Sequence, residues 1–311
     1  MTETQRKEIN NYGDWIREKF AYKVQKISID AGFSCPNRDG KKGTGGCIFC
    51  DNNTFNPSYC DPKLTIKEQL REGKDFFARK YKDMKYIAYF QAYSNTYAPL
   101  DTLKRRYEEA LDDSDVVGIA IGTRPDCINE EILDYLEHLN RQTFVTVEYG
   151  IESANDDTLR LINRGHDFEC SRKAVEQTAA RGITTGAHVI HGLPGEDKNE
   201  ILRQAEKISA LPLTLLKIHQ MQIIKGTRLA KMFAETPFPL FSAQEYISLV
   251  AEYLQRIRYG IVIERVASQS PKNLLIAPDW GLKNYQLTNL LINYMKEKGI
   301  KQGDKAFEAP P

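Results

Sequence analysis

Apolar positions recur along this chain with two alternating periods. Short apolar or alternating runs at Val24 to Ile29, Tyr86 to Phe90, Val116 to Ile121, Phe144 to Tyr149, Thr185 to Ile190 and Leu215 to Gln220 read as six strands. Helical spacing between them predicts helices at 64 to 82, 100 to 112, 129 to 140, 169 to 181 and 197 to 210. The first of these places Leu70, Phe76, Phe77 and Tyr81 on its buried side. Strands alternating with helices of this length imply βαβ units, hence parallel strands with right-handed crossovers. Six units fall short of a closed eight-stranded barrel. The predicted fold is therefore α/β, an open, partial (β/α)6 TIM-like barrel. Residues 12 to 22 lead into it as a short amphipathic helix carrying Trp15, Ile16 and Phe20. After Gly226 the texture changes: Pro237 and Pro239 interrupt the chain, followed by a helix at 242 to 258, a strand from Ile261 to Val266 and a helix at 284 to 298. The expected organisation is a helical lead-in over 1–22, a core over 23–225, and a C-terminal α/β extension over 226–311 packed on the barrel.

Composition narrows the class without naming a chemistry. Hydrophobic residues at 41% and charged residues at 27% suit a soluble globular protein. No apolar run reaches the roughly 18 residues that span a bilayer, and the polar start from Met1 to Asn11 lacks the apolar centre of a signal peptide. A net charge of +1 gives no global attraction to nucleic acid or membrane, although basic runs occur at Lys74, Arg79, Lys80, Lys82 and Lys85, at Lys104 to Arg106, and at Lys296, Lys298 and Lys301. Six cysteines, three of them clustered, fit a reducing cytoplasm better than a disulfide scaffold.

Those three cysteines lie in Phe-Ser-Cys-Pro-Asn-Arg-Asp-Gly-Lys-Lys-Gly-Thr-Gly-Gly-Cys-Ile-Phe-Cys, residues 33 to 50. Cys35 precedes Cys47 by eleven intervening residues, and Cys47 and Cys50 are separated by two, so a glycine-rich linker can wrap an object larger than a side chain. Three thiolates point to a metal or an iron–sulfur cluster with an open position. A non-catalytic zinc-binding module built from Cys35, Cys47, Cys50 and Cys60 is the alternative. Cys127 and Cys170 have no CxxC partner and read as inert buried thiols.

The CxxC with Phe49 before its last cysteine, the phrase Cys-Pro-Asn-Arg-Asp-Gly and its spacing resemble the cluster loop of the radical S-adenosylmethionine (SAM) superfamily. The similarity is to its YhcC/YtqA branch, which is related to the catalytic subunit of elongator, and covers roughly residues 20 to 290. The resemblance implies that Cys35, Cys47 and Cys50 hold a [4Fe–4S] cluster. Its fourth iron would bind SAM, whose one-electron cleavage gives a 5′-deoxyadenosyl radical. In parallel α/β folds ligands collect at the carboxyl ends of the strands, so the other strand ends should carry the rest of the site. After the second strand, Gln91, Ser94 and Asn95 stand where a Gly-Gly-Glu-like turn commonly binds the amino group of SAM. Glu152 and Ser153, after the fourth strand, would contact its ribose and methionyl parts, and Arg172 its carboxylate. Leu193, in His191-Gly192-Leu193-Pro194-Gly195-Glu196, falls in the turn that holds adenine, with His191 beside it. Arg124, in Gly-Thr-Arg-Pro-Asp, offers a bidentate cation or simply ends a strand. His188 and His191 on the fifth strand, followed by His219 on the sixth, raise the prospect of a proton donor or acceptor facing the pocket.

For function, the resemblance points to the wobble uridine of tRNA, with conversion of a 5-carboxymethylaminomethyl side chain to 5-aminomethyl. The anticodon loop would be the macromolecular partner, Tyr93 or Tyr97 a stacking platform, and flavodoxin or ferredoxin an electron donor. A small metabolite or a peptide in place of tRNA is the competing expectation for the same radical chemistry.

Overall fold

The computed structural model describes residues 6–51, 56–78 and 84–306. Its strands are β1 (Val24–Ile29), β2 (Lys85–Phe90), β3 (Val116–Thr123), β4 (Phe144–Glu152), β5 (Thr184–His191), β6 (Leu215–Gln220), β7 (Ile223–Ile224), β8 (Val262–Arg265) and β9 (Leu275–Ala277). Seven of them form one parallel sheet in the order β1-β2-β3-β4-β5-β6-β8, so the C-terminal strand continues the sheet that the six βα units begin. The sheet curls into a partial barrel. Lys26 on β1 reaches Glu264 on β8 at 2.8 Å, so the two edge strands meet across the interior. The Ile263 amide donates to the Asn10 carbonyl at 2.7 Å and closes the seam from outside the sheet.

The helices are α1 (Tyr12–Lys19), α2 (Ile66–Ala78), α3 (Leu100–Leu111), α4 (Glu130–Asn140), α5 (Asp156–Leu161), α6 (Phe168–Ala180), α7 (Lys198–Ala210), α8 (Arg228–Glu235), α9 (Ala243–Arg256) and α10 (Asn284–Lys298). Side chains alternate across each strand. On β2, Ala88 and Phe90 face the main core shared with the outer helices, whereas Ile87 and Tyr89 face inward. The inward set meets Ile16 of α1, with Val24, Val117 and Phe144 from the starts of their strands packed around it. Helix α1 therefore plugs the amino-terminal end of the barrel and leaves the carboxyl end for the site. Starts are marked by side-chain caps: Asn129 accepts from the Ile132 amide, and Ser242 and Glu245 form a capping box on α9.

Several expectations need correction. Helix α1 ends at Lys19, with Phe20 extended behind it, rather than continuing to residue 22. Phe76 is 55% exposed, not buried, while Leu70 of the same helix is fully buried; Tyr81, Arg79, Lys80 and Lys82 lie outside the described residues. Strand β4 runs to Glu152 rather than Tyr149, through a register shift between Gly150 and Glu152. Helices α5 and α8 and the small antiparallel β7–β9 pair were not expected. Among the described residues no helix is long and apolar enough to cross a membrane.

Candidate functional site

At the carboxyl ends of the strands lies a cavity of about 750 Å³. The loop after β1 forms one wall and presents Cys35, Cys47 and Cys50 to it. Backbone turns set their positions: Arg38 and Asp39 amides return to the Cys35 carbonyl at 2.8 and 3.2 Å, and the Cys50 amide to that of Cys47 at 3.1 Å. Gly46, with φ of +78°, passes Arg38 so closely that a Cβ there would stand 3.0 Å from Nε. Arg38 Nη2 in turn donates to the Cys50 carbonyl at 2.8 Å.

Two donors point at Cys47, one from its own loop and one from far along the chain. Arg164 Nη1 stands 3.6 Å and Asn37 Nδ2 3.7 Å from its Sγ, and Asn37 also donates to the Asn163 carbonyl at 2.6 Å. Arg164 is buried, donates to the Gly150 carbonyl at 2.5 Å and pairs with Glu152 at 3.5 Å. This tie holds the end of β4 in its bulge, with Glu152 at φ of +69°. Burial opposes the Arg164 charge, but Cys47 and Glu152 outweigh it and hold the guanidinium protonated. Burial raises the Glu152 carboxyl against the pull of Arg164 and Arg124. Arg124 forms a two-pronged pair with Asp126 at 2.8 and 2.9 Å, and Lys42 joins it at 2.8 Å. Burial would lift the Asp126 carboxyl, but these cations hold it well below the usual carboxylate range. Arg124 Nη1 and Arg164 Nε are buried without a hydrogen-bond partner among the described residues.

The inner wall is a charged network on the sheet itself. Glu148 on β4 accepts from Lys26 at 2.7 Å, Lys217 at 2.5 Å and His188 at 3.1 Å, and Lys217 also reaches Glu264 at 3.3 Å. Burial would raise the Glu148 carboxyl; Lys217 and Lys26 hold it ionised. Lys217 shares those carboxylates with Lys26, and burial with its cationic neighbours brings it down to about 8. His188 is lowered to about 4, by burial first and Lys217 second, so the neutral ring donates to Glu148.

The structure gathers Cys35, Cys47, Cys50, Phe49, Gln91, Tyr93, Ser94, Glu152 and His188 of the expected site residues around this cavity. Five others stand elsewhere. Asn95 is buried and donates to the carbonyls of Ala92 and Gly122 at 3.0 and 2.8 Å, which pins the turn after β2 against β3. Ser153 donates to Glu196 at 2.6 Å, and Leu193 packs in a small core with Ile48, Ile162 and Met221. Arg172 lies on the face of α6, paired with Glu169 and Glu176 one turn away on either side at 2.6 Å each. His191 is turned into the core against Tyr253, with ring centroids 4.4 Å apart, so the expectation that it faces the pocket fails while His188 and His219 do line it. Cys60 belongs to the main core, where burial and Asp30 push its thiol up to about 12; it does not join the cysteine loop in a four-cysteine zinc site. Lys26, Lys217, Glu264 and Arg265 were missed. A lysine inside the apolar run Leu215-Leu216-Lys217-Ile218 was the available signal.

A model of the radical SAM superfamily matches residues 39–208, and one of the Radical_SAM C-terminal domain matches residues 213–297. The chain is 36% identical over 291 residues to YtqA of Bacillus subtilis, across 93% of this chain and 89% of that protein. It belongs to the radical SAM superfamily. Radical SAM enzymes use a [4Fe–4S] cluster and SAM, and this chain shares their partial barrel. Archaeal Methanocaldococcus infernus Elp3 superposes with a TM-score of 0.71 at 17% identity, over 90% of this chain and 64% of that one. The tRNA uridine(34) acetyltransferase of the same organism is 24% identical over 214 residues, which are 65% of this chain and 39% of that protein. The residues present fit the radical SAM cofactors. Three cysteines share a cavity wall, and buried guanidinium and amide donors aim at Cys47.

Proposed function

We propose that this radical SAM enzyme modifies the wobble uridine of tRNA, converting a 5-carboxymethylaminomethyl side chain to 5-aminomethyl. The N-bound carbon would lose a hydrogen atom and an electron, and water would hydrolyse the resulting C=N bond to release glyoxylate. SAM would be the oxidant, leaving as methionine and 5′-deoxyadenosine. The observation that carries the reading is that the cysteine wall and a floor of ionisable groups share one cavity of about 750 Å³, room for cofactors and a single inserted base. The relative named for uridine 34 of tRNA supports the choice of substrate. Bound at Cys35, Cys47 and Cys50, a cluster with SAM supplies one-electron cleavage of a carbon–sulfur bond and hence hydrogen-atom abstraction from a substrate carbon.

The chain's own residues hold, orient and exclude water around that chemistry. Arg164 and Asn37 direct a guanidinium and an amide N–H at the Cys47 sulfur and fix its place on the cavity wall. Gln91, Ser94 and Glu152 present polar groups on the adjoining wall. Tyr93, 39% exposed on a backbone of φ +60°, offers its ring to a splayed base, with Arg38 5.9 Å from the ring centroid. The test is anaerobic reconstitution with iron and sulfide, then reduction with SAM and tRNA carrying 5-carboxymethylaminomethyluridine, followed by nucleoside mass spectrometry. The expected result is 5-aminomethyluridine with wild type and none with Cys47→Ala. Production of 5′-deoxyadenosine with every tRNA nucleoside unchanged would overturn the tRNA reading and leave the radical SAM core standing.

A further inference from the structure

The charge on the inner wall does not balance. Glu148 and Glu264 are both engaged by Lys26 and Lys217, which leaves the Arg265 guanidinium at the carboxyl end of β8 as an additional positive charge. Arg265 is half-buried, lines the cavity and makes no hydrogen bond or ion pair among the described residues, and its Nε is sealed from water without a partner. A guanidinium carries five N–H donors, and leaving them unpaired in a recess is costly. His219 lines the same wall with Nε2 buried and also unpartnered. The two meet through the sheet: Arg265 is opposite Lys217 in the β6–β8 register, and His219 lies two residues further along β6 on the same face. Burial first, then Arg265, drives His219 toward its neutral form. An unpaired cation beside a neutral imidazole in a cavity is a receptor for one negative charge.

We infer that Arg265, with His219 beside it, binds a carboxylate of the substrate. A monoanion matches the single uncompensated charge, and a planar carboxylate matches the guanidinium fork. The inference rests on the tRNA reading for its ligand, since the carboxymethyl group that this reaction removes carries such a carboxylate. It adds which residues select that group: Arg265 and the loop that follows it come from the C-terminal extension, so this segment sets the substrate choice. Arg265 is a binding residue here, and His219 supplies a neutral neighbour to the bound oxygens.

The test uses two nucleoside probes, 5-carboxymethylaminomethyluridine and its glycinamide counterpart, in which a neutral amide replaces the carboxylate beside the same amine, titrated by calorimetry into the reconstituted SAM-loaded protein. Wild type should bind the carboxylate at least tenfold more tightly than the amide. Arg265→Met should bring the two probes within about twofold of each other, and Arg265→Lys, which keeps the charge and loses the fork, should retain part of the preference. Equal binding of both probes by wild type overturns the inference, as does a full preference in Arg265→Met. Should Arg265→Met fail to fold, the wild-type comparison and Arg265→Lys still decide it, a Lys variant indistinguishable from wild type counting against the fork. A wild type that prefers the carboxylate yet leaves tRNA unmodified upholds the subsite and overturns the tRNA reading, so the two failures are separable.

Discussion

His188 shows how one buried ring ties function to acidity. Its folded value of about 4 lies below the roughly 6.5 of an unfolded histidine. Between those values the unfolded chain takes up a proton that the folded chain refuses, so stability is present at neutral pH and lost as pH falls through that window. From pH 7 to 5 the loss from this ring is about 1–2 kcal/mol. His166 and His191, both lowered to about 3 by burial, and His219 act in the same direction, so the wild type should be markedly acid-labile. In His188→Gln an amide can still donate toward Glu148 but cannot titrate. Urea unfolding at pH 7 and pH 5 should show the variant losing about 1–2 kcal/mol less than wild type across the interval. An identical drop in both proteins would mean that the His188 ring titrates in the fold as it does in the unfolded chain, and a smaller drop in wild type than in the variant would mean that Glu148 holds it protonated.

Element packing explains what the periodicities could and could not reveal. The strands and long helices were legible because each carries several turns of a clear period. Helix α5 spans six residues and β7 two, too short for any period to register. The last three residues of β4 read as a turn because Glu and Gly seldom continue a strand; the Arg164 tie to the Gly150 carbonyl makes the continuation possible. Close approach also accounts for Gly73 in the middle of α2, where glycine costs about 1 kcal/mol relative to alanine. A Cβ at that position would lie 2.4 Å from Cγ2 of the fully buried Ile27 on β1. Overpacking of that kind costs about 1–3 kcal/mol, which exceeds the gain in helix propensity. Gly73→Ala should therefore destabilise the protein, by up to about 2 kcal/mol in urea unfolding. A more stable variant would show that α2 can ride off β1 without penalty.

At the scale of the whole molecule, the cysteine wall was legible because it is local in sequence, whereas the lysines and the second carboxylate of the inner wall were not. Lys26, Glu148, Lys217 and Glu264 come from four different strands, and only the curl of the seven-stranded sheet brings them to one place. Global charge has the same weakness as a guide. At +1 the chain has no overall attraction for RNA, so binding to tRNA must come from a few local cations. Much of the basic sequence is already spent: Lys74 pairs with Asp113 and Asp115, and Lys85 with Asp115. Near the cavity, Lys41 is exposed 5.4 Å from the Tyr97 ring centroid, and Lys272 is an exposed residue of the lining. Three or four phosphate contacts to a single-stranded loop give a slope of about −2 to −3 for log K against log salt. Filter binding of tRNA between 50 and 200 mM KCl, a range of about fourfold, should thus weaken affinity by about 15- to 60-fold. Lys41→Gln combined with Lys272→Gln should flatten the slope by about 1.4, two contacts at about 0.7 each. Salt-independent binding would count against an RNA substrate. An unchanged slope in the double variant would move the RNA contact away from the cavity mouth, and with it the reason for a base to enter.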